Sequence, residues 1–231
     1  MFLCYILFVE IAGEGHLILV YKYMKNKPFF IVQPNPADYM TLLAMFFSGI
    51  SIIQILSRNF YLAISFMFMS TISDIFDGFL ARKFGWESEF GRYLDSFVDM
   101  FNYLFIPALF FYVYGLNDLV ATLVFFVFIS AGMLRLTRFN IIGNLKEGDR
   151  VLYLGLPVGW NQMVFLLLFI ASWYIPKETF SLLTQLSLLG LSFGMLLNRK
   201  FWKPQQTFLI TLAGLILILS ICFFYLQFFG H

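Results

Sequence analysis

Cysteine and histidine are scarce in this chain: its 231 residues contain two of each. Cys4 and Cys222 lie far apart in apolar sequence, so they suggest neither a disulfide framework nor a metal knot, and both read as packing residues. A zinc centre would have little to draw on, because such sites use His and Cys. Charge is scarce too, at 12% of residues with a net of +2, and the basic residues are explained by orientation rather than by nucleic-acid binding. What fills the chain is apolar. Hydrophobic residues make up 61% and aromatics 21%, and the mean hydropathy is +0.83, outside the range of soluble domains.

Apolar runs of spanning length are read at Tyr39–Leu56, Phe60–Leu80, Leu94–Tyr114, Leu119–Thr137, Leu156–Tyr174, Phe180–Leu197 and Phe208–Phe229. The expected fold is an all-α polytopic membrane protein, a bundle of about six to eight transmembrane helices. Residues 34–231 form its transmembrane domain. Residues 1–33 form a membrane-associated N-terminal segment, either a helix in the interface or an extra span, in which Glu10, Glu14 and His16 interrupt the apolar sequence. No basic region or small-residue cleavage site marks a signal peptide there. Asn35-Pro36-Ala37-Asp38 reads as the start of the first confident helix, with a capping Asn, a Pro in the first turn and an acid near the dipole.

Basic residues orient the bundle. Lys22, Lys25 and Lys27, then Arg82, Lys83 and Arg92, then Arg138, Lys146 and Arg150, then Arg199, Lys200 and Lys203 all fall on one side if the spans alternate. Only Arg58 and Lys177 face the other side, so the basic side is expected to be cytoplasmic, with a bacterial plasma membrane as the home.

Against this background the acids stand out. Asp74 and Asp77 are spaced i, i+3 and Asp95 and Asp99 i, i+4, so each pair shares one helix face. Ionisable groups at membrane depth are costly unless they are paired, metal-bound or facing water. Four acids with few cations nearby ask for a hard divalent ion such as Mg²⁺, Mn²⁺ or Ca²⁺. Two facing pairs could hold two ions and clamp a diphosphate between them. Gly78 permits close approach of a substrate, Ala81 keeps the next turn small, Arg82 offers a fork to phosphate oxygens, and Gly91 lies one turn before Asp95.

Written as a pattern, Asp74 to Asp99 reads DxxDGxxAR, eight residues, then GxxxDxxxD. This resembles the signature of the CDP-alcohol phosphatidyltransferases, and the likeness extends more loosely from Pro34 to Lys203. The resemblance implies displacement of CMP from a CDP-linked lipid by an alcohol, a Mg²⁺ or Mn²⁺ site with two divalent ions, and a homodimer. By matching positions it implies Asp74, Asp77, Asp95 and Asp99 as metal ligands, with Asp99 also the catalytic base toward the acceptor hydroxyl. It places Asp74, Gly78, Ala81, Arg82 and Gly91 at the CDP site. No well-placed Ser, Cys or His argues for a covalent nucleophile, so direct attack is expected.

The acceptor is read from weaker patterns. Arg135-Leu136-Thr137-Arg138-Phe139-Asn140 and Gly155-Leu156-Pro157 resemble elements of the phosphatidylserine synthase branch, which makes Arg135, Arg138 and Asn140 candidates for binding serine. Snorkelling or topology accounts for the arginines as well as acceptor binding does. Phe101-Asn102-Tyr103-Leu104 departs from the small Ser-Phe-Gly stretch of that branch and looks partly like the bacterial phosphatidylcholine synthases. A choline acceptor would favour an aromatic cage, to which Tyr103 and Trp160 could contribute. Glycerol 3-phosphate and an inositol phosphate are further acceptors. From a different class, a cation or proton transporter could also carry intramembrane acids. Against it, the acids cluster near one membrane face and no broken-helix repeat pair is seen.

Overall fold

An Asn-Pro cap starts the first described helix, as its residue types dictate. In the computed structural model, which describes residues 32–143, 145–147, 150–202 and 206–229, α1 (Pro36–Leu56) is capped by Asn35. The Asn35 side chain accepts from the N–H of Ala37 at 2.8 Å and of Asp38 at 3.0 Å, while the Asp38 carboxylate accepts from the Asn35 N–H at 2.8 Å. The expected N-terminal helix or span lies outside the described residues up to residue 31, as do Lys203 and His231. Residues from Asn35 onward form one compact unit.

Arg58, at φ 60°, turns the chain tightly from α1 into α2 (Phe60–Phe84). The two helices approach through small residues: Ser48 and Ser70 share a hydrogen bond of 2.9 Å, and Ser51 donates to the Ala63 carbonyl at 2.8 Å. Gly85 ends α2 at φ 68°, a left-handed cap that a side chain would strain. Ser88 then caps α3 (Glu89–Tyr114), its hydroxyl accepting from the Gly91 N–H at 2.9 Å. A π-helical turn, Phe101–Phe105, interrupts α3 just after the second pair of acids. Asp118 caps α4 (Leu119–Ile142) through the Ala121 N–H, and Gly132 lets α4 close on the Leu104 side chain of α3.

A small antiparallel sheet follows, which the apolar pattern does not announce. Strand β1 (Leu145–Glu147) pairs with β2 (Arg150–Leu154), and β2 pairs with β3 (Lys200–Trp202), which lies beyond two further helices. Gly155 leaves β2 at φ 72°, and a Cβ there would run into the Met195 carbonyl. Among the described residues, six helices are long and apolar enough to cross a membrane. The chain is an integral membrane protein. The expected fifth span is shortened: Gly155, Pro157 and Gly159 keep its beginning out of the helix, and α5 runs only over Trp160–Ala171. Its 12 residues rise about 18 Å. Even so, it links both ends of the bundle, with Asn161 reaching the Tyr103 carbonyl at 3.3 Å and Ser172 bonding the Tyr114 hydroxyl at 3.0 Å.

Helix α6 (Lys177–Leu196) returns to the sheet, and α7 (Gln206–Phe229) packs along α2. Ser65 and Ser220 each donate to the other's backbone carbonyl at 3.0 Å. The core is built from phenylalanine. Phe110 stacks edge-on against Phe60, Phe165 and Phe169 at ring separations of 5.2, 4.9 and 5.4 Å. Exposed Phe46, Leu134, Leu167, Phe193 and Ile218 belong to the apolar surface that such a bundle presents to lipid.

Candidate active site

Phe60, at the start of α2, belongs to the aromatic end; Asp74, some 14 residues later, lies about 21 Å along the same helix. There the bundle is hollow. A cavity of about 850 Å³ opens between α1, α2, α3, α4, β2, α5 and α7. The pattern residues from Asp74 to Asp99 all line it: the four acids together with Gly78, Ala81, Arg82 and Gly91.

Carboxylate oxygens of Asp74, Asp95 and Asp99 lie within 4.8 Å of one another. Three ionised groups at that spacing repel by roughly 3 kcal/mol per pair at an effective dielectric of about 20. The oxygen-only donor set suits a hard divalent cation, which removes that repulsion. Asp77 stands outside this cluster of three. One turn of α2 directs it to α1, where it accepts a hydrogen bond from the Thr41 hydroxyl. Asp74 accepts one from the Tyr103 hydroxyl at 2.7 Å. Each acid of α2 is therefore oriented by a neutral donor from a neighbouring helix.

The glycines make room for protein as well as for ligand. A Cβ at Gly78 would stand 3.1 Å from the Arg82 guanidinium, which lies over that position. At Gly91 a Cβ would press on the Asp38 carboxylate, so Gly91 lets α3 meet the capped start of α1. Asn35 ties the same corner by donating to the Trp86 carbonyl at 3.0 Å.

On the far wall stands Arg135. It is 7% exposed and lines the cavity, yet it forms no ion pair among the described residues and its Nε has no hydrogen-bond partner. Its guanidinium rests against the rings of Phe139 at 5.4 Å and Tyr153 at 5.7 Å. Burial pushes the Tyr153 phenol up to about 12 against the opposing pull of Arg135, so its hydroxyl stays neutral. Of the three acceptor candidates, the fold brings only Arg135 into the cavity. Arg138 is exposed, and Asn140 is engaged elsewhere, accepting from Ser96 at 3.0 Å. Trp160 is half exposed at the cavity wall, and the Tyr103 hydroxyl is committed to Asp74.

Two roles in the site escape the sequence: Thr41 carries no signal, and Tyr103 reads only as a candidate wall of a choline cage, not as a partner of Asp74. Thr41 lies on another helix, 36 residues from the acid it holds. Tyr103 is placed one turn after Asp99, a spacing that could have pointed to the site, but its bond to Asp74 crosses between helices.

The profile of the CDP-alcohol phosphatidyltransferases matches residues 34–230. The chain belongs to the CDP-alcohol phosphatidyltransferase family. Among curated relatives it is similar to the CDP-diacylglycerol–serine O-phosphatidyltransferase of Bacillus subtilis, with 30% identity over 170 residues, covering 72% of this chain and 90% of that protein. Proteins of the same description from Methanocaldococcus jannaschii and Helicobacter pylori are 34% and 32% identical over about half of each chain. Phosphatidyl transfer from a CDP-alcohol is thus the chemistry of this transferase, with a CDP-lipid as donor and an alcohol as acceptor in phospholipid biosynthesis. The CDP-alcohol phosphatidyltransferases are metal-dependent, and the Asp74, Asp95 and Asp99 cluster could bind the metal.

Proposed function

We propose that the protein is a CDP-diacylglycerol–serine O-phosphatidyltransferase. The observation that carries the serine assignment is Arg135, a buried cation on the cavity wall that faces Asp99 and Asp95 yet makes no direct ion pair among the described residues. Desolvating a guanidinium without a direct carboxylate contact is costly, and a substrate carboxylate in bidentate contact would offset that cost. Choline would bring a second positive charge toward the same wall. The serine synthases among the relatives support the same choice.

In this reading Asp74, Asp95 and Asp99 hold a divalent ion, and Asp77 completes the acidic face of α2. When bound, the metal neutralises the donor diphosphate and the charge developing on the CMP leaving group. Arg82, lying over Gly78, reaches phosphate oxygens of the donor, and Ala81 and Gly91 leave space for it. Arg135 orients serine by its carboxylate so that the hydroxyl faces the donor phosphorus. Asp99 accepts the proton of that hydroxyl as the new P–O bond forms and the bond to CMP breaks. The basic residues of the loops support a cytoplasmic orientation for this end of the bundle, in a bacterial membrane.

The test is CMP release by purified protein with CDP-diacylglycerol and Mn²⁺ or Mg²⁺, across serine, choline, glycerol 3-phosphate and an inositol phosphate. Release with serine alone supports the assignment. Release with another alcohol retains the family chemistry and moves the acceptor.

A further inference from the structure

Pro107 has no N–H, so the carbonyl one turn earlier in α3 loses its α-helical donor. That carbonyl belongs to Tyr103, and it accepts instead from the side-chain amide of Asn161 in α5 at 3.3 Å. The neighbouring π-helical turn, with the Ile106 N–H bonded to the Phe101 carbonyl, sets Asn102, Tyr103 and Leu104 into the interior. Asn102 donates to the Thr71 hydroxyl at 3.4 Å, and the Tyr103 hydroxyl donates to Asp74 at 2.7 Å. Thr71 and Asp74 are successive positions on one face of α2. The irregular turn of α3 therefore grips α2 at two adjacent polar points, and α5 holds that turn in place.

We propose that Tyr103 is a positioning residue that fixes the Asp74 carboxylate toward Asp95 and Asp99 and so sets the affinity of the cluster for a divalent ion. The inference rests on reading Asp74 as a metal ligand. A phenol suits the task because it donates a hydrogen bond without bringing positive charge that would compete with the cation. Its ring is only 4% exposed, so it has little freedom to give up when the ion binds. Partners behind a metal ligand typically change affinity about 10–100-fold when removed.

Direct Mn²⁺ binding to the purified detergent-solubilised protein, read by the electron paramagnetic resonance of free Mn²⁺, tests this without turnover. Tyr103→Phe keeps the ring and should weaken binding about tenfold. The midpoint for Mn²⁺ activation of CMP release should rise in parallel, while the plateau falls less than about threefold. Equal Mn²⁺ affinity in Tyr103→Phe and wild type overturns the proposal, whereas lost binding in Asp74→Asn keeps the metal reading standing. If Asp74→Asn binds as wild type does, the metal reading fails and this inference with it. Should Tyr103→Phe lack a cooperative thermal transition, Asn161→Ala decides through the same titration. A loss of about threefold supports the relay from α5, and unchanged affinity overturns it.

Discussion

The two ends of this bundle are built from the same helices and opposite materials. Toward Phe60, Phe110 and Phe169 the interior is solid, filled by rings at contact distance. Toward Asp74 and Asp99 it is a cavity of about 850 Å³. Helix α3 shows the change within one element, with Asp95 and Asp99 before the π-helical turn and fully buried Phe110 and Phe111 after it. Rings packed edge to face, with a few neutral hydrogen bonds such as Ser172 to Tyr114, hold the spans there without charged groups, so the other end is free to gather charges that repel one another. Rigidity at one end supports electrostatic tension at the other.

Disarming the hollow end should have the largest effect. Asp99→Asn should lower CMP release by about a thousandfold, with the thermal midpoint held, because the base is lost and the packing is not. Opening the solid end does the reverse: Phe110→Ala should destabilise the bundle by about 3 kcal/mol, read by thermal unfolding in detergent. Activity measured well below the new midpoint should change much less. If Asp99→Asn unfolds the protein, or Phe110→Ala abolishes activity while it stays folded, the division of labour is wrong.

Arg135→Lys should sharpen the picture within the cavity. It keeps the charge and loses the fork, so the KM for serine should rise about tenfold while CDP-lipid binding is retained. Ser65→Ala should have the smallest effect, about 0.6 kcal/mol of stability, since a single interhelical hydrogen bond in a membrane protein is worth little.

The long spans were legible because about 20 apolar residues in a row have few other uses. The acids were legible because their i, i+3 and i, i+4 spacings place them on one face before any tertiary contact is known. The shortened α5 was harder. Its apolar run continues through Leu156 and Val158, while Gly155, Pro157 and Gly159 keep that stretch out of the helix. The sheet was hidden for a different reason: β3 has three residues, and its partner lies two helices earlier. Arg135 and Asn140 read as one motif, but five positions on a helix rotate a side chain by about 140° away from its predecessor. One faces the cavity and the other bonds Ser96.

The cavity wall that α7 supplies has a consequence for synthesis. Phe208, Leu209 and Leu212 line the space around the acids, although they leave the ribosome roughly a hundred residues after Asp99. At about 5–20 residues per second, the acids are made several seconds before the wall that encloses them. A nascent chain halted ahead of α7 carries every pattern acid and an unsealed pocket. Synthesis of α7 thus acts as a timer on assembly, and a product that stops before it has the acids without the finished chamber in which to use them.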